Sequence, residues 1–342
     1  MTRMTHEKEY QVTQEKEYQS MRAMSANGFN GYEDLKLVDY RRPEASDRVL
    51  VRMTAAGVTP LDYTILSGHY PHAKAPLVLG NEGAGVVEEG GGPEFLAGSR
   101  VVFTGAYGVS EQGTYSEWVA VRKQDLCLVP DGIDDVSAAG MPVAYLTAQM
   151  ALSLAGFQAG KTVLAPAIGG SVGNAVTQLA RALGAKHAIS STTSQIKAVQ
   201  AKALGFDEVV DLSSETLSDG VRRITNGYGS DIVIDAIGGP ILGEALSTLA
   251  PGGSLTTLGY AAGRNATIDV TNLIWKGASI LSFMLFAQPP AAFAEAWRII
   301  TRLIQSGGIK PIVAKTFPLA DAAEALRYLT EDRPFGRVVL TI

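Results

Sequence analysis

A chain of 342 residues that is 46% hydrophobic and 18% charged is long enough for two domains with separate cores. A net charge of −5 with no basic run argues against nucleic acid as a partner, and the single cysteine, Cys127, excludes an internal disulfide and a cysteine-rich zinc lobe. No apolar run approaches the roughly 18 residues that span a bilayer, and the charged N-terminus has no apolar signal core, so a cytoplasmic protein with no membrane partner is expected.

Residues 1–21 form a polar extension in which EKEYQ occurs twice, at Glu7–Gln11 and Glu15–Gln19. Such a segment buries too little surface to fold alone and is expected as a tail or a docked surface helix. From 22 to 148 the runs DRVLVRMTAAGV, GAGVVEEGG, GSRVVFTG and GTYSEWVAV are β-branched and bounded by turn residues, which predicts an all-β unit. Over 149–286 the period changes. Strand-like runs start near Thr162, Lys186, Glu208, Asp231 and Ser254 with helical stretches between them. This alternation predicts an α/β unit with a parallel sheet and helices on both faces. The apolar run SILSFMLF, 279–286, reads as a sixth, edge strand; so apolar an edge predicts pairing with its copy in a homodimer. Over 287–342, FPLADAAEALRYL and GRVVLTI read as a helix and strand that rejoin the first unit.

The first strand of the α/β unit, TVLAP, shows no polar alternation, as expected of a strand buried on both faces. It runs into AIGGSVG, which places Ala167, Gly170 and Gly173 at A-x-x-G-x-x-G spacing before a helix marked by Val172, Val176, Leu179 and Leu183 and capped by Gly184. Gly170 would let the backbone approach a pyrophosphate, and Gly173 would let the helix pack closely on the sheet. The first-turn amides, at Ser171 and Val172, and the helix dipole would favour the ligand's negative charge. The bland alternative is a packing turn with no ligand. An NAD site usually carries Asp or Glu about 20 residues beyond the glycines to bond the ribose 2′-hydroxyl. Here the sequence is HAISSTTSQIK, without an acid. Thr193, Ser194 and Lys197 suit a 2′-phosphate instead, so NADP(H) is the expected cofactor; the alternative is that Ser194 caps the following helix and Lys197 is solvated.

The blocks AAGVTPLDYTILSGHYP, GNEGAGVV, GTYSEWVAV, PVAYLTAQMAL, VLAPAIGGSVG, LAPGGSLTTLG and PIVAKTFPLADAAEAL, then GRVVL, occur in the order and spacing of a known family. From about residue 28 to the end, the chain resembles the zinc-independent quinone oxidoreductase (zeta-crystallin-like) branch of the medium-chain dehydrogenase/reductase superfamily. The resemblance implies a GroES-like β-barrel catalytic domain, 22–148 and 287–342, with a Rossmann-type NADP-binding domain, 149–286, inserted in it. Where zinc dehydrogenases of that superfamily have a Cys and a His ligand, this chain has Thr59 and Asn81, followed by Glu82. Thr and Asn are poor zinc ligands, and His69 and His72 lack a placed third ligand, so no metal is expected. The resemblance assigns catalytic roles to Tyr70 and Thr59, the latter in place of the family's Asn. It assigns cofactor contacts to Thr147, Lys197, Gly259 and Tyr260. Asp211 replaces a tyrosine of the 2′-phosphate grip, Thr64 replaces a second family tyrosine beside Tyr63, and Arg333 lies near a family arginine whose local spacing differs. The implied activity is NADPH-dependent hydride transfer to a quinone. The alternatives are an NADPH-dependent 2-alkenal or enone double-bond reductase, or a non-catalytic NADPH- or RNA-binding crystallin-like protein.

Overall fold

The computed structural model describes residues 19–342; the expected tail or docked helix, with all of its repeated EKEYQ but Gln19, lies outside them. Composition groups Ser20 and Met21 with that extension, but both belong to a strand, where pairing with the next strand buries Met21.

The β-branched runs become strands. In chain order these are β1 (Ser20–Ala26), β2 (Leu35–Arg41), β3 (Val49–Val58), β4 (Leu77–Val78), β5 (Glu82–Glu89), β6 (Arg100–Thr104), β7 (Trp118–Val121) and β8 (Leu126–Leu128), with the helix α1 (Pro60–Leu66) between β3 and β4. Two helices, α2 (Asp135–Ala139) and α3 (Pro142–Leu154), lead into the alternating part. There β9 (Thr162–Ala165), α4 (Ser171–Ala182), β10 (His187–Thr192), α5 (Gln195–Ala203), β11 (Val209–Asp211), α6 (Leu217–Ile224), β12 (Ser230–Asp235), α7 (Gly239–Ser247), β13 (Leu249–Thr257), α8 (Val270–Lys276) and β14 (Ser279–Ser282) follow one another. The chain ends through α9 (Pro290–Gln305), β15 (Val313–Pro318), α10 (Ala322–Arg327) and β16 (Arg337–Thr341).

The second sheet has the order β11-β10-β9-β12-β13-β14 with every neighbouring pair parallel. The chain winds outward from β9 to β11 and then returns to β12, so strand order reverses between β9 and β12. In open parallel sheets of this kind, ligands bind beyond the carboxyl ends of the strands at such a reversal. The glycine turn follows β9 and therefore stands there.

Two local details differ from the pattern. β13 starts at Leu249 rather than near Ser254, because Ala250–Gly253 is accommodated as a shift of register against β12. β14 ends at Ser282 rather than Phe286; beyond it Phe283 and Leu285 turn into the core, while Met284 and Phe286 stay exposed.

Both chain ends build the first unit. β16 pairs with β3 and β15 with β16, so the C-terminus extends the sheet that β3, β5, β6 and β8 begin. One core there joins Met24 and Leu66 to Leu326 and Leu340. A second core packs α3, α4 and α9 over β9 and β12, with Leu179, Ile234, Trp297 and Ile300 at its centre.

Candidate functional site

Helix α4 ends as its spacing predicts. Gly184 has φ 87, and the Ala185 N–H reaches back to the Ala180 carbonyl. At its start the N-cap is Gly170, which has no side chain to accept the first-turn amides; Gly238 starts α7 in the same way, whereas Ser194 caps α5, Thr216 caps α6 and Asp269 caps α8. The turn before it is held from several directions. Ala167 has φ 67, a left-handed backbone uncommon outside glycine. The Ile168 N–H donates to the Ser191 carbonyl at 2.8 Å, and Asn174 on α4 donates to the Ile168 carbonyl at 3.2 Å. A Cβ on Gly173 would stand 2.4 Å from the carbonyl oxygens of both Pro166 and Ala167, so only glycine lets α4 sit this close to the turn. Amides of a first helical turn with no side-chain acceptor, at a strand-order reversal, suit the diphosphate of a dinucleotide.

At the end of β10, Thr193 is exposed and Ser194 half-buried. The Ser194 Oγ accepts the Lys197 N–H at 3.5 Å, so it does cap α5. The Lys197 Nζ is engaged as well, donating to the Arg333 carbonyl. Arg333 is exposed, with φ 48, and the segment after it is seated on the glycine turn: the Gly336 N–H donates to the Gly169 carbonyl at 3.0 Å, and Phe335 is buried with Ile168. The fold thus brings the Arg333 backbone beside Lys197, which local spacing did not reveal. Asp211 instead closes its own turn by accepting the Ser213 N–H and O–H.

Gly259 and Tyr260 line a pocket at the carboxyl ends of β12 and β13 with Gly238, Gly239 and Gly263. A Cβ on Gly259 would lie 2.3 Å from the Ala236 carbonyl oxygen, so these two loops meet backbone to backbone. The turn after β12 is held by Asp235, whose Oδ1 accepts the Ile237 and Gly238 amides; burial raises its carboxyl and these bonds oppose the rise. Thr147 is buried on α3, which packs on α4.

Thr59 is buried at the N-cap of α1, with Pro60 as the first helical residue. Its N–H and O–H both meet the Asp62 Oδ2 at 2.8 Å, and its Oγ1 lies 3.2 Å from the Asn81 Oδ1. The Tyr115 hydroxyl also donates to Asp62, at 3.0 Å. Asp62 was missed in the sequence, although Thr59 and Asp62 have capping-box spacing. Burial raises the Asp62 carboxyl, against the bonds from Thr59 and Tyr115, and raises the Tyr115 hydroxyl well above its ordinary value. Glu82, which follows Asn81, forms a buried ion pair with Arg337 and accepts the Val143 N–H at 2.7 Å. Thr59 and Asn81 make a poor zinc donor set, and no cluster of three His, Cys, Asp or Glu side chains stands ready for a metal ion among the described residues. Tyr70, half-buried in the loop after α1, meets His72 edge-on at 5.7 Å. Tyr63 stacks on Tyr32, and the Thr64 hydroxyl donates to the Pro60 carbonyl. Cys127 stays a thiol, because burial pushes its pKa up to about 12.

Residues 45–131 match the alcohol dehydrogenase GroES-like domain, and residues 171–302 match the zinc-binding dehydrogenase family. The chain is 33% identical over 319 residues to a quinone oxidoreductase of Pseudomonas aeruginosa, covering 91% of this chain and 97% of that one. It is 31% identical to a 2-haloacrylate reductase of Burkholderia sp, covering 86% and 90% respectively. An NAD-dependent alcohol dehydrogenase superposes with a TM-score of 0.85 at 30% identity, covering 94% of this chain and 100% of that one. The mycobacterial protein Rv1454c, solved with NADPH, superposes at 0.83 with 30% identity and the same coverage.

Proposed function

Since the chain belongs to the quinone oxidoreductase branch of the medium-chain dehydrogenase/reductase superfamily, we propose that it is an NADPH-dependent reductase that delivers hydride to a quinone without a metal ion. The observation that carries this reading is the uncapped start of α4 at the strand-order reversal. Bound NADPH would supply the hydride, as cofactors carry the difficult chemistry in such enzymes.

The chain's own residues bind and orient. Amides of Ser171 and Val172 hold the diphosphate beside Ala167, Gly170 and Gly173. Thr193, Ser194 and Lys197 hold the 2′-phosphate, with Lys197 exchanging the Arg333 carbonyl for phosphate oxygens and Arg333 adding its charge. The lack of an acid after β10 disfavours NAD. Thr147, Gly259 and Tyr260 line the path of the nicotinamide half, and Thr59 and Tyr70 face the acceptor. A quinone spreads its developing negative charge by conjugation, so hydrogen-bond donors suffice where a simple carbonyl would need a Lewis acid.

The same groups serve an α,β-unsaturated carbonyl, a second reading favoured by the 2-haloacrylate reductase among the relatives. NADPH oxidation with benzoquinone, phenanthrenequinone and hexenal separates the two. Turnover of quinones is expected; turnover of hexenal alone makes the second reading correct, and turnover of neither overturns both. NADPH is expected to bind at least about tenfold more tightly than NADH, which is roughly 1.4 kcal/mol; tighter NADH binding, or stoichiometric zinc in the purified protein, overturns that part.

A further inference from the structure

Asp62 has no role in the binding scheme above, yet it is fully buried. Its Oδ2 receives the Thr59 N–H, the Thr59 O–H and the Tyr115 O–H, while its Oδ1 is buried without a hydrogen bond, as is the Asn81 Nδ2. The Gly80 N–H draws on the carboxyl more weakly. The ionisable groups around it are Tyr115, Glu82 and Arg337, and Arg337 is already paired with Glu82. Asp62 makes no ion pair among the described residues.

The Thr59 hydroxyl has one proton but faces two acceptors, the Asp62 Oδ2 at 2.8 Å and the Asn81 Oδ1 at 3.2 Å. Two arrangements resolve this. If Asp62 is ionised, Thr59 donates to it and the Asn81 amide is reversed, which leaves a buried carboxylate with three hydrogen bonds on Oδ2, none on Oδ1 and no cation beside it. If Asp62 carries a proton on Oδ2, the carboxyl donates to the Thr59 Oγ1 and Thr59 donates to Asn81; the atoms left unpaired are then neutral. An unpaired buried charge costs far more than an unpaired buried dipole. The second arrangement avoids that buried charge; burial pushes this carboxyl upward in the same direction, against the bonds from Thr59, Tyr115 and Gly80.

We propose that Asp62 holds a proton in the resting site and passes it, through the Thr59 hydroxyl, to the acceptor oxygen. This rests on the reading of the chain as a hydride-transferring reductase. The acceptor gains two electrons as hydride while NADPH is oxidised to NADP⁺, and its oxygen becomes negative. That oxygen takes the Thr59 hydroxyl proton, the Thr59 Oγ1 takes the Asp62 proton, and a solvent proton restores Asp62 between turnovers. Asp62 acts through Thr59 and does not touch the acceptor, so it is a positioning residue.

The test compares wild type with Asp62→Asn, Thr59→Ser and Thr59→Val. In infrared spectra at neutral pH, wild type is expected to show a protonated-carboxyl band that Asp62→Asn lacks. With benzoquinone, kcat of wild type is expected to fall as pH rises through the Asp62 titration. In Asp62→Asn that limb is lost, kcat is lower by about tenfold or more, and NADPH affinity stays within about twofold. Thr59→Ser stays within about threefold of wild type, and Thr59→Val falls about tenfold or more. A wild-type pH profile in Asp62→Asn, or identical infrared spectra, overturns the proposal. If Asp62→Asn does not fold, wild-type activity in Thr59→Val overturns it. Wild type that reduces neither quinone nor enal overturns the functional reading instead, and the infrared band still tests the proton on Asp62.

Discussion

Asp62 and Glu82 are two fully buried carboxyls whose surroundings set them apart. Glu82 has the Arg337 guanidinium and the Val143 amide, which oppose the rise that burial imposes on it too; Asp62 has hydroxyls and amides but, among the described residues, no ion pair. For Asp62 the desolvation outweighs the bonds from Thr59, Tyr115 and Gly80, so its proton is held more tightly in the folded chain than in the unfolded one. The sign for stability follows from linkage. Below the unfolded value, near 3.8, both states are protonated and the contribution is fully present; it is lost as pH rises through the raised folded value. Thermal unfolding over pH is therefore expected to show stability declining through that window in wild type, with the decline smaller in Asp62→Asn. Equal slopes in the two proteins refute this assignment. Residue-scale chemistry of this kind was only half legible. Thr59 and Asp62 lie one helical turn apart in sequence, but Tyr115 and Asn81 come to them through the barrel, and so the commitment of the Thr59 hydroxyl was invisible beforehand.

At the scale of elements, the strand–turn–helix at β9 and α4 was the most legible part of the chain. Its information is local: the buried strand, the glycine spacing and the 3.6-residue apolar stripe all lie within one stretch of sequence. Gly173 is the tightest point. An added methyl group would meet two backbone oxygens that have no room to give. Gly173→Ala is expected to cost about 1–3 kcal/mol of stability by overpacking and to weaken NADPH binding as α4 moves away from the turn, read by thermal unfolding and by cofactor titration. Unchanged values for both would mean that the close approach of α4 does not matter. The proposed adenosine end was less legible. Ser194 caps α5 and Lys197 lies in its first turn, but the contact of Lys197 with Arg333 joins residues 136 positions apart, a separation that no local period encodes.

At the scale of the whole molecule, β14 leaves a parallel sheet open at one edge. Ile280 is 39% exposed on it, Met284 and Phe286 follow, and on α8 Ile274 and Trp275 are 72% and 82% exposed. Exposed apolar surface of this kind, beside unpaired strand edges, is normally covered. A homodimer through this edge remains our proposal. Sedimentation is expected to give a dimer for wild type and a monomer for Ile280→Lys, with helical content retained; a monomeric wild type removes the proposal.

By itself the amino-acid sequence determined the two-part α/β architecture, the glycine turn and the replacement of metal-ligand residues by Thr59 and Asn81, because each is written in neighbouring residues or in the order of blocks. Tertiary structure alone decided which buried polar groups meet, where the C-terminal segment rests and which apolar residues remain uncovered. Those outcomes depend on burial and on contacts between distant segments, and in a folded chain burial sets both the cost of a charge and the value of its partner.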